Sequence, residues 1–161
     1  MLRLIYALLA AGTPHTNSLV ETVLASTTLP AFSTAPGKVY RWSGAIRATA
    51  THTTDTLTAV LRLGTTALAG VAVFTSAAVD VADNDLLVWD LVVTCRSTTS
   101  VLVTGFVSSI GAGGTVTARA VFASLTVDNT VALYPSVTAD WSVADVGNSV
   151  QAETFVLAEI V

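Results

Sequence analysis

The segment "KVYRWSGAIRATA", residues 38–50, alternates apolar and polar side chains along most of its length. In an extended strand, successive side chains point to opposite faces of the sheet, so every second residue shares a face. A strand with one apolar face is typical of an antiparallel sheet that packs on a core from one side. Here the apolar face carries Tyr40, Trp42, Gly44, Ile46 and Ala48, and the other face carries Arg41, Ser43, Arg47 and Thr49.

The same alternation recurs along the chain, and turn signals such as "HTTD", "RSTTS", "VDNT" and "VGNS" separate the runs. Two further clear examples are the faces formed by Leu57, Ala59, Leu61 and Leu63 and by Leu87, Trp89, Leu91, Val93 and Cys95. The glycines of Gly111–Gly114 indicate a hairpin turn. About nine strands are predicted, near residues 19–28, 38–50, 56–63, 67–75, 84–96, 101–110, 115–125, 133–143 and 150–161.

Two stacked sheets are the natural way to bury so many amphipathic strands. We therefore predict an all-β fold, an antiparallel β-sandwich with the jelly-roll arrangement of about 8–9 strands. An immunoglobulin-like sandwich is the alternative, and it is less favoured because the Cys…Trp…Cys framework is absent.

The start of the chain, "MLRLIYALLAAG", has the pattern of a signal peptide: one Arg, a short apolar run and small residues. Because Met1 is present, we expect this segment to be retained, and it is too short to span a bilayer. We interpret residues 1–18 as an N-terminal strand or docking arm, followed by one jelly-roll domain over residues 19–161.

Charged residues make up only 11% of the chain, while 52% of it is hydrophobic. A usual protein has about 25% charged residues, so this chain has few charges with which to coat a monomer. Extensive burial against other copies is the remedy that we favour. The net charge of −4, with seven scattered Lys and Arg residues, gives no support to nucleic-acid binding.

Residues that could carry chemistry are isolated from one another. His15 and His52 lie in separate turns without the closely spaced partners of a zinc site. Cys95 falls on an apolar strand face, which predicts an inert buried thiol. The acidic segment "DVADNDLLVWD", residues 80–90, lacks the spacing of a calcium loop. We therefore predict a non-enzymatic protein with no cofactor and no metal.

Both ends of the chain show apolar residues on faces where polar ones are expected. In a regular final strand, Val150, Ala152, Thr154, Val156, Ala158 and Ile160 share the core face, and Phe155 and Leu157 lie among Gln151, Glu153 and Glu159 on the other. Exposed apolar groups of this kind mark interfaces. We predict a subunit interface formed by Leu2, Leu4, Tyr6, Leu8, Phe155 and Leu157.

Motifs in a fixed order resemble a group of virion proteins of tailed bacteriophages. "ETVLASTTLPAFSTAPGKVYR" supplies Glu21, Thr22, Leu24, Ser26, Leu29, Pro30 and Ala31, then Gly37, Lys38, Tyr40 and Arg41. The strand "LTAVLRLG" follows, and the ending "VTADWSVADVGNSVQAETFVLAEIV" resembles the closing hairpin of that group. The resemblance extends from about residue 19 to the C-terminus.

This resemblance implies a single jelly-roll domain that is commonly trimeric and non-enzymatic. It implies a capsid decoration (cement) protein whose partners are further copies of itself and a major capsid protein, within a virion assembled in the host cytoplasm. The alternative is a fibre or spike module that binds a receptor or glycan. Trp42, Trp89 and Trp141 all lie on predicted inward faces, which argues against a glycan platform built on tryptophan.

Overall fold

A computed structural model describes residues 1–31, 35–52, 54–81, 84–111, 115–128 and 130–161. Within these residues the chain forms strands joined by turns, with no helix, and therefore no helix that could cross a membrane. The strands are β1 (Leu2–Ala7), β2 (His15–Thr16), β3 (Thr22–Ser26), β4 (Val39–Thr49), β5 (Thr56–Gly64), β6 (Val71–Thr75), β7 (Val79–Asp80), β8 (Asp85–Ser97), β9 (Ser100–Gly111), β10 (Thr115–Thr126), β11 (Tyr134–Trp141) and β12 (Ser149–Ile160).

The strands form two antiparallel sheets. The larger has the order β1-β12-β4-β8-β9-β10 with β2 beside β12, and the smaller has the order β3-β11-β5-β6 with β7 beside β5. Without the β9–β10 hairpin and the two-residue strands, eight strands remain, four in each sheet, and the chain crosses repeatedly between the sheets. This arrangement is a jelly roll, so the predicted fold class is confirmed.

The alternation in the sequence corresponds to burial between the sheets. Tyr40, Trp42 and Ile46 on β4 are buried, as are the predicted inward residues of β5 and β8. All three tryptophans lie in the core. The faces predicted for these three strands are confirmed because each pairs with a long neighbour over most of its length.

The β9–β10 hairpin extends the larger sheet beyond the jelly roll. Its two strands pair over twelve residue pairs without a register shift. Gly105 in β9 has φ +144°, and a Cβ there would lie 2.2 Å from the backbone oxygen of Asp90 on β8. The predicted turn at Gly111–Gly114 lies mostly outside the described residues, although Gly111 and Thr115 pair on either side of it.

Strand β1 lies at the edge of the larger sheet and pairs with β12. The segment before residue 19 thus contributes an edge strand to the larger sheet. An ion pair between Arg3 and the buried carboxylate of Glu159 joins the two strands, and Lys38 also pairs with this carboxylate. The hydrogen bond from Lys38, more than the charge of Arg3, holds the pKa of Glu159 below its usual value.

Strand β12 contains a β-bulge that reverses the predicted faces of its second half. Ala152 pairs with Ile46 and Thr154 with Ala45, so Glu153 is an extra residue. Phe155 and Leu157 consequently point inward and are 0% exposed. Their predicted place on the surface is wrong, and Ile160, predicted to face the core, is exposed.

An aromatic cluster fills the core beside this bulge. The rings of Trp42, Trp89 and Phe155 lie 6.1–6.5 Å apart at steep mutual angles, and the ring of Tyr6 meets Phe155 edge-on at 5.9 Å. Gly44 pairs with both Trp89 and Phe155. Because Gly44 has no side chain, the Trp89 ring can occupy the space beside it.

Replacing Gly44 with alanine is expected to destabilise the fold by at least about 2 kcal/mol, because an overpacked core must shift. The added Cβ would lie 2.3 Å from the Trp89 ring and 2.5 Å from the carbonyl oxygen of Thr154. Urea unfolding measures the effect. Gly12→Ala is the control, since its Cβ meets nothing closer than 3.5 Å and stability should hold or rise slightly. Equal midpoints for the two variants would contradict the packing described here.

Deleting Glu153 is expected to keep the fold and cost about 1 kcal/mol or less, since the shortened strand is regular and still buries both Ala152 and Phe155. Glu153→Ala keeps the bulge and removes a partly exposed ion pair with Arg47, worth about 1 kcal/mol or less. Thermal unfolding compares the two. A deletion variant far less stable than Glu153→Ala would show that Glu153 is not the extra residue of β12.

Candidate functional site: the outer face of the larger sheet

The two sheets differ in what covers their outer faces. Over the larger sheet, no strand of the described residues packs on the outer face, so its side chains meet solvent. The pairing register aligns Val92, Thr104 and Phe122 in one row across β8, β9 and β10. The next row contains Asp90, Phe106 and Ala120. This uncovered face is the candidate functional site.

One apolar group on this face, the hairpin cluster, consists of Val88, Phe106 and Phe122. Phe106 is 65% exposed and Phe122 is 77% exposed. Phe106 pairs with Ala120 and Phe122 with Thr104, so the two rings are diagonal neighbours on adjacent strands. Aromatic side chains at this spacing reach one another. Two adjacent exposed rings are characteristic of an interaction surface.

A second apolar group, the edge cluster, lies at the opposite margin of the same face. It consists of Leu2, Leu4 and Ile160, and Leu2 and Ile160 are a cross-strand pair. Leu2 is 54% exposed and Leu4 is 63% exposed. The short side chain of Ala158, opposite Leu4, continues the apolar surface toward the middle of the sheet.

An ion pair separates the two clusters. Arg41 on β4 donates two hydrogen bonds to the Asp90 carboxylate on β8, from Nε at 2.8 Å and from Nη2 at 2.7 Å. These hydrogen bonds lower the pKa of Asp90 and raise that of Arg41. Because each charge neutralises the other, the centre of the face carries no net charge.

The six residues of the predicted interface fall into three groups. Leu2 and Leu4 are exposed in the edge cluster, while Tyr6 and Leu8 are half-buried against the core. Phe155 and Leu157 are inside the core and cannot contact a partner. The hairpin cluster was missed, although the sequence signals it: Phe106 and Phe122 are bulky apolar residues on faces otherwise rich in Thr, Ser and Ala.

The outer face of the smaller sheet, by contrast, is partly covered by the chain itself. Arg62 donates to both carboxylate oxygens of Glu21 at 2.9 Å and to the carbonyl oxygen of Gly70 at 3.1 Å. The Thr138 hydroxyl donates to the same Glu21 carboxylate. This network fastens the segment before β3 and the loop after β5 onto the sheet.

Desolvation raises the pKa of Asp140 on this face, and the nearby charge of Glu21 raises it further.

The histidines and the cysteine lie apart from one another in the described part of the chain. His15 lies on β2, while His52 lies in a turn with its Nε2 3.6 Å from the Asp145 carboxylate. Burial raises the pKa of the Cys95 thiol to about 11. Among the described residues no three of His, Cys, Asp and Glu come together as a metal site, and Asp83 of the predicted acidic segment lies outside them.

A crevice at one end of the sandwich is lined mainly by apolar residues, among them Ile46, Leu57 and Val81. Its water-accessible volume of about 20 Å³ is enough for about one water molecule. It does not hold a small-molecule substrate of ordinary size.

Comparisons with known proteins give no family. No protein-family model matches the chain, and no curated protein matches it. Among solved structures, the chain is similar to a chain in the structure of the infectious bursal disease virus Gx strain, with 16% sequence identity and a TM-score of 0.42. It is also similar to T=1 particles derived from infectious bursal virus, with 16% identity and a TM-score of 0.42. A VP2 subviral particle of infectious bursal disease virus has 18% identity and a TM-score of 0.38.

Each of these matches covers 99% of this chain but only 32%, 40% and 42% of the other chain, respectively. The chain thus spans less than half the length of the structures that it matches. Likenesses with such TM-scores assign no function to the chain.

Asp140→Asn is expected to raise the melting temperature at pH 7. The folded state favours the protonated form of Asp140, so stability is lost as pH rises through its raised pKa. The ordinary pKa of an aspartate is 3.8. Below that pH, the gain in melting temperature should vanish because the Asp140 carboxyl is neutral in both the folded and the unfolded state. Asp128→Asn is the control with the opposite sign, since hydrogen bonds from Thr130 lower the pKa of Asp128. Melting curves from pH 3 to 8 test both variants. A lower melting temperature at pH 7 for Asp140→Asn than for the wild-type protein would contradict the raised pKa of Asp140.

Proposed function

We propose that the chain is a non-enzymatic structural protein of a virion that self-associates. More specifically, we propose a trimeric capsid decoration (cement) protein that binds a major capsid protein in a virion assembled in the host cytoplasm. The observation that carries this proposal is the uncovered outer face of the larger sheet, with its hairpin cluster and edge cluster.

Exposed apolar area of this kind favours association. Removing apolar surface from water contributes about 25 cal/mol per Å², and Phe106, Phe122 and Leu4 are mostly exposed in the single chain. With only 11% charged residues, the chain has little means of keeping such a face in water. A decoration protein uses such faces, because modest contacts repeated by symmetry add up across a shell.

The motifs that resemble those of phage virion proteins hold the sandwich together, which supports a structural role. Glu21 and Arg62, from two different motifs, bind each other. Asn148, in the closing hairpin, is buried; its amide donates to the Asp55 carboxylate at 2.9 Å and its oxygen accepts from Thr51 N at 3.2 Å. Buried polar groups paired in this way stabilise one loop arrangement.

We assign the three-fold contact to the edge cluster. A cyclic trimer joins two different surfaces of neighbouring copies. Leu2 and Leu4 lie at a margin of the sheet, where a neighbouring copy can approach from the side. Tyr6 and Leu8 of the predicted interface pack against the core and so hold the N-terminal segment on the sandwich.

A fibre or spike module that binds a glycan is the second candidate. One observation favours it: the exposed ring of Phe106 pairs directly with Asp90, which places an aromatic surface beside a carboxylate. That carboxylate is already bound by Arg41, and all three tryptophans are buried. Specific binding of the purified protein on a glycan array would favour this candidate over decoration.

Leu4→Asp is expected to abolish the species that contains three copies of the 16.5 kDa chain, while the fold persists. A buried unpaired carboxylate is strongly unfavourable in an apolar contact. Analytical ultracentrifugation measures the mass. Val146→Asp, at an exposed apolar position in the loop before β12, is the matched control and should leave the mass unchanged. A monomeric wild-type protein at micromolar concentration would contradict the trimer.

The copy number per virion tests the role itself. Quantitative mass spectrometry of purified particles should find hundreds of copies of a decoration protein. A handful of copies would favour a fibre or vertex position, and absence from the particle would refute a virion role.

A further inference from the structure

Four strands lie at the margins of the two sheets, and β10 differs from the others. β1 has six residues, β3 five and β6 five, and the pairing of each with its neighbour contains a register shift. β10 has twelve residues and pairs with β9 without any shift. It is the one long and regular margin among the described strands.

A margin of this kind is prone to pair with another strand. Proteins protect edge strands by keeping them short, by bulges, by proline or by charged residues. The segment "TVTARAVFASLT" of β10 contains no proline, and Arg119 is its only charged residue. No described strand pairs with its outer edge, so a row of backbone N–H and C=O groups faces away from the sheet.

We propose that β10 pairs antiparallel with β10 of a second copy of this chain, around a two-fold axis at Val121. The two larger sheets then form one continuous sheet across both subunits. The contact is isologous, with the same surface contributed by each copy.

The outer face determines this register by steric fit. Ala120 lies next to Phe106 of β9 and leaves a gap at the margin of the sheet. With the axis at Val121, Phe122 of the second copy lies opposite Ala120 and fills that gap beside Phe106. The symmetric contact repeats this arrangement, so that four aromatic rings cover the junction.

The charges and the area agree with this pairing. Arg119 of one copy lies opposite Ala123 of the other, and the two arginines are separated by four residues, or about 13 Å, which exceeds the Debye length of about 8 Å at physiological salt. A strand about 40 Å long and about 10 Å thick covers about 400 Å². Two rings that are 65% and 77% exposed add about 250 Å², and the sum is close to the lower limit of about 600 Å² per partner for specific interfaces.

This contact is separate from the three-fold contact of the proposed function. It uses β10, whereas the edge cluster lies on β1 and β12. An isologous contact joins copies in twos, so it would link one trimer to the next.

A double cysteine variant tests the pairing. With the axis at Val121, Ala118 of one copy faces Ser124 of the other, and both positions are exposed. Opposed residues of an antiparallel pair have Cα separations within the range for a disulfide. Ala118→Cys/Ser124→Cys, oxidised with glutathione disulfide, should migrate mostly as a covalent dimer on a non-reducing gel. The two cysteines of one chain are six residues apart along an extended strand and cannot bond to each other.

Ala118→Cys/Thr126→Cys is the matched control, because its two positions do not face each other across the axis. This variant should remain mostly monomeric. Both pairs are also placed in the Leu4→Asp background, where the in-register dimer should persist even though trimers are lost. Equal cross-linking of the two pairs, or none in either, would overturn the proposal.

A second variant avoids cysteine. Ala120→Lys fills the gap with a charged side chain and should at least halve the dimer fraction in sedimentation without lowering the melting temperature. An unchanged dimer fraction would also overturn the proposal.

Discussion

The extra residue at Glu153 is the constraint on which the rest of the structure depends. Because β12 contains one residue more than its partner β4 at this point, Phe155, Leu157 and Glu159 all turn inward. Phe155 then completes the aromatic cluster with Trp42 and Trp89 around Gly44. Glu159 reaches a buried position where only an ion pair makes its charge tolerable, and Lys38 and Arg3 supply it. The bulge thus packs the core and also anchors β1.

The same bulge determines what the outer face offers to other molecules. After it, the outward residues of β12 are Val156, Ala158 and Ile160, which are apolar and mostly modest in size. They connect the edge cluster with the central Arg41–Asp90 pair, and the hairpin cluster lies beyond that pair. One sheet face therefore carries two apolar clusters with a neutralised centre, an arrangement suited to contacts with other subunits rather than to chemistry.

The sequence predicts the parts of this fold that depend on unbroken pairing. The faces of β4, β5 and β8 follow from alternation alone, because β4 pairs with β8, and β5 with β11, without a register shift. The faces of β12 do not, since a bulge depends on how two strands pair and leaves no mark at Glu153 itself. The interface prediction failed at Phe155 and Leu157 for this reason. On β9 and β10, the large exposed apolar residues among polar neighbours are Phe106 and Phe122.

The β9–β10 hairpin changes the jelly roll in a way that the sequence does not reveal. In an eight-stranded jelly roll, β8 would be the margin of its sheet, and its inner face would be covered by the smaller sheet. The hairpin moves the margin two strands outward, where β6 of the smaller sheet packs against β10. Val121 and Leu125 remain buried there, but Arg119, nearer the hairpin tip, is exposed on the same face. The added strands contribute apolar residues such as Val103 and Val107 to the core, but their exposed rings and regular edge lie outside it and are better explained by contacts with other molecules.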